Sequence, residues 1–135
     1  MGESDTHGIL VGVIKKWIEI NFDNENICLF MDSGINLSAQ RPKLIKGHVP
    51  DVYAESLYGE KRKIVGEAKT ARDLDSKRSE KQLKAFLENC AIEKACFVLA
   101  VPWDMTRYAK SLIRYYQKQL NIEGVDTIII CELGF

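Results

Sequence analysis

The chain has 135 residues, which suits one compact domain spanning residues 1–135 and leaves no room for a separate target-recognition domain. It is 46% hydrophobic and 28% charged, an ordinary globular composition, and its 19 basic residues balance 19 acidic ones, so bulk charge announces no polyanionic partner. Apolar runs such as 95–102 and 127–131 are too short to span a bilayer, and no basic stretch leads into an apolar one near Met1. A cytoplasmic protein with no membrane partner is therefore expected.

In chain order, Leu10, Val13, Ile14, Trp17 and Ile18 recur at helical spacing and predict a first helix over 4–20. The apolar run 27–31 reads as a strand. Beyond a loop holding Gly34 and Pro42, residues 49–57 and 63–69 read as two strands joined by a hairpin, with Gly59 in the turn. A second helix is predicted over 75–91, with Leu83, Phe86, Leu87 and Cys90 on one face. Residues 95–101 form an apolar strand ending at Pro102. A third helix over 106–120 buries Ala109, Leu112, Ile113, Tyr116 and Leu120, and a β-branched strand follows at 126–131. Trp17 and Trp103 read as core or rim aromatics.

The order α-β-β-β-α-β-α-β, hairpins first and β-α-β alternation afterwards, predicts an α/β fold with a mixed central sheet flanked by helices. Cys28, Cys90, Cys96 and Cys131 form no CxxC pair and lie mostly in apolar surroundings, the pattern of reduced thiols rather than of a disulfide framework or a zinc site.

Charge is unevenly spread. Residues 1–60 carry nine acids against five bases, whereas residues 61–84 carry nine bases against four acids. On the third predicted helix Arg107, Lys110, Arg114 and Lys118 form one stripe opposite the apolar face. Such a stripe suits DNA phosphates through counterion release, and it equally suits a solvated surface helix.

The residues that carry chemistry are Val49-Pro50-Asp51 and Gly66-Glu67-Ala68-Lys69. Asp51 and Glu67 each lie eight residues from Gly59, so a hairpin centred there sets them opposite one another, with Cβ atoms about 5 Å apart. Lys69 lies two residues beyond Glu67 and shares its face. Two carboxylates so close repel unless a cation sits between them. Hard oxygen ligands with space for water suit Mg²⁺ or Mn²⁺ and offer nothing soft for zinc. The Ala68 carbonyl is a further candidate ligand. Lys69 is placed to orient an attacking water or to offset charge building on a phosphoryl group. An ion-paired, solvated hairpin would carry the same ExK tripeptide, which alone is a weak signal.

Pro50-Asp51, a glycine-containing hairpin and Glu67-Ala68-Lys69, together with a helix before the sheet, resemble the PD-(D/E)xK nuclease superfamily. This is the restriction-endonuclease-like group that includes Holliday-junction resolvases. The resemblance implies an Mg²⁺- or Mn²⁺-dependent endonuclease acting on DNA, with Asp51, Glu67 and Lys69 as its centre. It also implies an acid from the first helix. At 100° per residue from Leu10, Glu3 falls at about +20°, on the buried stripe, and Glu19 at about 180°, toward solvent. Glu3 is therefore the expected extra metal ligand, although an acid at a helix start also suits the macrodipole. His7 follows one turn later as a polar partner, and His48 precedes the motif without an evident role.

From the helix after the ExK strand the resemblance implies Gln82 as a supporting catalytic residue and Arg78 as a contact to the DNA backbone. Thr70 is expected to contact phosphate or to cap a helix. Without room for a recognition domain, a structure-selective or partner-directed nuclease is expected, and double-strand cutting would need a homodimer or a larger nuclease complex. Two other classes fit the same chain. One is a catalytically silent nucleic-acid-binding module, which a metal titration would separate. The other is an interaction subunit of a restriction or repair complex, which would carry a stoichiometric partner and show no activity alone.

Overall fold

The computed structural model describes residues 3–32, 42 and 44–133, and for Glu3, Ser4 and Asn24 the backbone alone. Helix α1 (Glu3–Asn21) precedes strands β1 (Ile27–Met31), β2 (Val52–Ser56) and β3 (Lys63–Ala68). Short helix α2 (Ala71–Leu74) and helix α3 (Lys77–Glu93) lead to β4 (Cys96–Ala100), and α4 (Thr106–Leu120) leads to β5 (Thr127–Ile130). The five strands form one open mixed sheet in the order β1-β2-β3-β4-β5, antiparallel from β1 to β3 and parallel from β3 to β5. The expected α/β class and mixed sheet are therefore present.

The sheet is covered on both faces. Leu10, Ile14 and Ile18 of α1 pack on Val52, Ala54, Ile64, Ala68, Val98 and Ala100. The residues between these, Tyr53, Val65, Phe97 and Leu99, point the other way, into a core completed by Leu83, Phe86 and Leu87 of α3 and Ala109, Ile113 and Tyr116 of α4. This period-two split follows from the pleat, and it makes β3 an interior strand buried on both sides. Gly66 faces α1. A Cβ built there would lie 2.8 Å from Ile14 Cγ2 and 3.3 Å from Val52 Cβ, so the glycine lets the helix lie close against β3.

Several boundaries differ from expectation for local reasons. Strand β2 begins at Val52 rather than at 49. Pro50 has no N–H to give a ladder, and just upstream Ile45 and His48 exchange hydrogen bonds of 2.7 and 2.9 Å in their own tight bridge. The helix expected over 75–91 is α3, capped by Ser76, which accepts from the Ser79 N–H, and a short unexpected helix, α2, capped by Thr70, precedes it. Leu112 and Leu120, expected to be buried, are half-buried at the edge of the α4 face, and Trp103 is 60% exposed in a 3₁₀ turn (Trp103–Met105) before α4. Among the described residues no helix is long and apolar enough to cross a membrane.

Candidate metal centre

The hairpin turn fixes the site. Gly59 adopts φ +79°, and Ser56 and Arg62 close the loop through a 2.9 Å main-chain bond, setting a register in which Val52 pairs with Gly66. One step further, where the ladder ends, Asp51 meets Glu67. The Asp51 N–H donates to Glu67 Oε1 at 3.0 Å, and Asp51 Oδ2 accepts the Ala68 N–H at 2.9 Å. The two expected ligands thus touch at the C-terminal end of β3. The Ala68 carbonyl leaves the strand on the same side as its N–H, toward Asp51.

Lys69 shares the Glu67 face. Its ammonium lies 3.3 Å from Glu67 Oε2 and also donates to Gln82 Oε1 on α3. Glu67 and Lys69 are only 4% and 8% exposed. The second donor to Asp51 is His7, whose Nε2 lies 3.1 Å from Oδ2. His7 comes from α1 on the far face of the sheet, and it reaches Asp51 because the helix starts beyond the sheet's end. The His7 ring and the Ala68 N–H therefore converge on one oxygen of Asp51.

These residues line a polar cleft of about 280 Å³ together with Asp32, Val49, Asp73, Ser76, Arg78 and Ser79. A larger cavity of about 550 Å³ lies at the opposite, N-terminal ends of β3 and β4, lined by Lys61, Arg62, Lys94 and Asp126 among others, and it holds none of the motif residues.

Electrostatics set the two carboxylates apart. Burial, and then the charge of Asp51, push Glu67 well above its ordinary 4.5. Burial also raises Asp51, but hydrogen bonds from His7, Glu67 and the Ala68 N–H outweigh it and hold Asp51 below 3.8. The bond to Asp51 raises His7 above 6.5. The crowding of the two carboxylates marks a place that suits a divalent cation, which would relieve their repulsion. Among the described residues no three His, Cys, Asp or Glu side chains already surround one point. Two carboxylates and a carbonyl still suit Mg²⁺ or Mn²⁺, since Mg²⁺ keeps several waters.

The remaining expected site residues divide. Gln82 is at the site, bonded to Lys69. Arg78 is exposed on the cleft wall. Of the two roles expected for Thr70, a phosphate contact or a helix cap, the structure shows the cap: Thr70 is 3% exposed and its hydroxyl accepts from the Asp73 N–H at 3.4 Å at the start of α2. Arg107, Lys110 and Arg114 are exposed on α4 and line no part of the cleft. The side chain of Glu3 lies outside the described residues. Glu19 is exposed and lies 3.9 Å from Lys15. His48 packs its ring on Phe86, away from the carboxylates. Sequence reasoning missed the bond from His7 to Asp51, although the placing of His7 one turn after Glu3 was the available signal. It also missed Asp32, Asp73, Ser76 and Ser79, which carry no motif.

Comparison of the chain with protein-family models, with curated proteins and with solved structures gives no match.

Proposed function

We propose that the chain is an Mg²⁺- or Mn²⁺-dependent endonuclease of the PD-(D/E)xK, restriction-endonuclease-like kind, hydrolysing DNA phosphodiester bonds. The observation that supports this best is the contact of Asp51 with Glu67 at the end of the β2–β3 ladder, with Lys69 buried on the same face. A helix, three antiparallel strands and then alternating helices and strands is the arrangement expected of that group.

In this reading Asp51, Glu67 and the Ala68 carbonyl hold the cation, which when bound offsets charge on a phosphoryl oxygen and makes a nearby water easier to deprotonate. Lys69 orients the attacking water or donates to a phosphoryl oxygen, from a position fixed by Gln82. His7 and the Ala68 N–H hold Asp51 Oδ2 and so fix the carboxylate's orientation. In this reading the enzyme is structure-selective or partner-directed, with a second copy or a larger complex for double-strand cutting.

The test is a panel of linear, nicked, flapped and four-way DNA incubated with Mg²⁺ or Mn²⁺. Cleavage that is metal-dependent and lost in Asp51→Asn supports the reading. Absence of cleavage on every substrate with either metal counts against it.

A further inference from the structure

The cavity at the N-terminal ends of β3 and β4, about 550 Å³ against about 280 Å³ for the carboxylate cleft, lies within the size range of small-molecule sites. We propose that it binds a mononucleotide, with the phosphate held by Lys61 and Lys94 at the mouth and the base seated on the apolar floor. The proposal stands apart from the nuclease reading, because none of the motif residues lines this cavity.

Three stretches build it: the second arm of the hairpin at 60–63, the end of α3 with the start of β4 at 90–96, and the turn between α4 and β5 at 122–126. Ala91, Ala95, Ile122 and Val125 form the floor, and Ile122 and Val125 pack on the core behind it. Small side chains leave the space open, and a Cβ built on Gly124 would meet nothing within 4 Å. Cys90 and Cys96 also line the cavity. Burial pushes the Cys90 thiol up to about 12, and burial with the neighbouring Asp126 carboxylate does the same for Cys96, so neither opposes an anion near neutral pH. A floor of this kind takes a flat ring out of water.

Charge gathers at the mouth, where Lys61, Arg62 and Lys94 are exposed. Arg62 is set over the Phe22 ring at 4.1 Å, and the Lys63 ammonium is taken by Glu93 at 2.8 Å. Lys61 and Lys94 come from different elements and form no ion pair among the described residues. Lys94 occupies the left-handed position that closes α3, with φ 56°, where glycine is the usual residue. A lysine there offsets the negative end of the helix, and it also brings a cation to the cavity.

Two carboxylates, Glu60 and Asp126, line the cavity as well. The Cys96 thiol donates to Asp126, which keeps further lone pairs for other donors. Cations for a phosphate, acceptors for ring N–H groups and an apolar floor together match a nucleotide. A fatty acid would leave the acceptors unmatched, and a bare phosphate would leave the floor empty.

The experiment titrates the protein, with divalent metal chelated, with adenosine monophosphate, adenosine and inorganic phosphate by calorimetry. Parent, Ala91→Leu, the double variant Lys61→Gln/Lys94→Gln and Lys69→Ala are compared. Adenosine monophosphate is expected to bind about tenfold more tightly than adenosine or phosphate. Ala91→Leu fills the floor and should abolish binding. The double variant changes two exposed positions and should weaken binding about tenfold, or about threefold per surface charge. Lys69→Ala, in the other cleft, should leave it unchanged. No saturable binding by about 10 mM would overturn the site, and so would adenosine or phosphate binding as tightly as the nucleotide. Affinity within about twofold of the parent in the double variant would overturn it too, and this variant decides if Ala91→Leu fails to fold. Weakening in Lys69→Ala would place the ligand at the carboxylates instead.

Discussion

The N–H of Asp51 donates to the carboxylate of Glu67 at 3.0 Å, so the main chain of one candidate ligand holds the side chain of the other. Any change in register of the β2–β3 hairpin would break this bond together with the one from the Ala68 N–H to Asp51. Asp51→Asn and Glu67→Gln are therefore expected to abolish metal-dependent cleavage with the fold intact. In the metal-free protein Glu67→Gln is expected to raise stability by about 1 kcal/mol, or ~4 °C in Tm, because it removes a crowded buried acid. Cleavage assays and melts check both. Full activity in either variant would remove the pair from the active site.

Stability should depend on pH through Glu67. Below its ordinary 4.5 the group is protonated in both folded and unfolded chains and its contribution is fully present. As pH rises the unfolded chain releases the proton while the folded one keeps it, so stability falls until the raised folded value is passed. His7, also raised, adds a second decline that begins near 6.5, whereas Asp51, lowered, acts only below 3.8. The gap between the parent and Glu67→Gln isolates the first decline. Melts from about pH 5 to 8 should show the gap widening with chelator present and closing with Mg²⁺.

Lys69→Ala is expected to lower the cleavage rate about 10²–10³-fold while metal and DNA affinity change little, because its charge acts chiefly in the transition state. Gln82→Ala should give a smaller loss of the same kind, since Gln82 orients the ammonium. Single-turnover kinetics beside binding isotherms separate the two effects. A loss of DNA affinity in proportion to rate would make Lys69 a phosphate clamp instead.

His7→Ala should weaken Mn²⁺ binding about tenfold, the usual scale for a partner that orients a ligand, with His7→Gln restoring part of it. Glu19→Gln, at an exposed position on the same helix, should change stability and activity little. Mn²⁺ titration of the three variants checks this, and equal affinity in His7→Ala and the parent would leave the His7–Asp51 bond without a role in the site.

Gly66→Ala is expected to destabilise the protein by about 1–3 kcal/mol. The added methyl would meet Ile14 Cγ2 at 2.8 Å, on a β-branched side chain with little freedom to move aside. A chemical-denaturation curve measures it.

The sequence made the two strands of the hairpin legible because Gly59 marks their centre, and a count of eight residues either way pairs Asp51 with Glu67. Period-two alternation along β3 likewise placed Glu67 and Lys69 together. The short helix α2 ahead of α3 was harder to see. Thr70 and Ser76 are both good caps only six residues apart, and an apolar-periodicity argument begins at the first buried side chains rather than at the caps. The contact of His7 with Asp51 depends on how far α1 overhangs the sheet, a tertiary offset that no local pattern encodes. The same holds for Ser79, which periodicity alone places on a helix edge and only the fold brings to the cleft.

Because the strands pair in chain order, each pairing closes only the loop between neighbours, and no strand must thread past another already in place. Asp51, Glu67, Lys69, Arg78, Ser79 and Gln82 all fall within one stretch of 32 residues, 51–82. Their mutual arrangement therefore needs little long-range search, and it can be set as this stretch emerges from the ribosome and β4 docks beside β3. His7 is the exception, made early in synthesis and engaged late. Its contact with Asp51 is thus a reporter that the first helix has closed over a sheet already carrying the site.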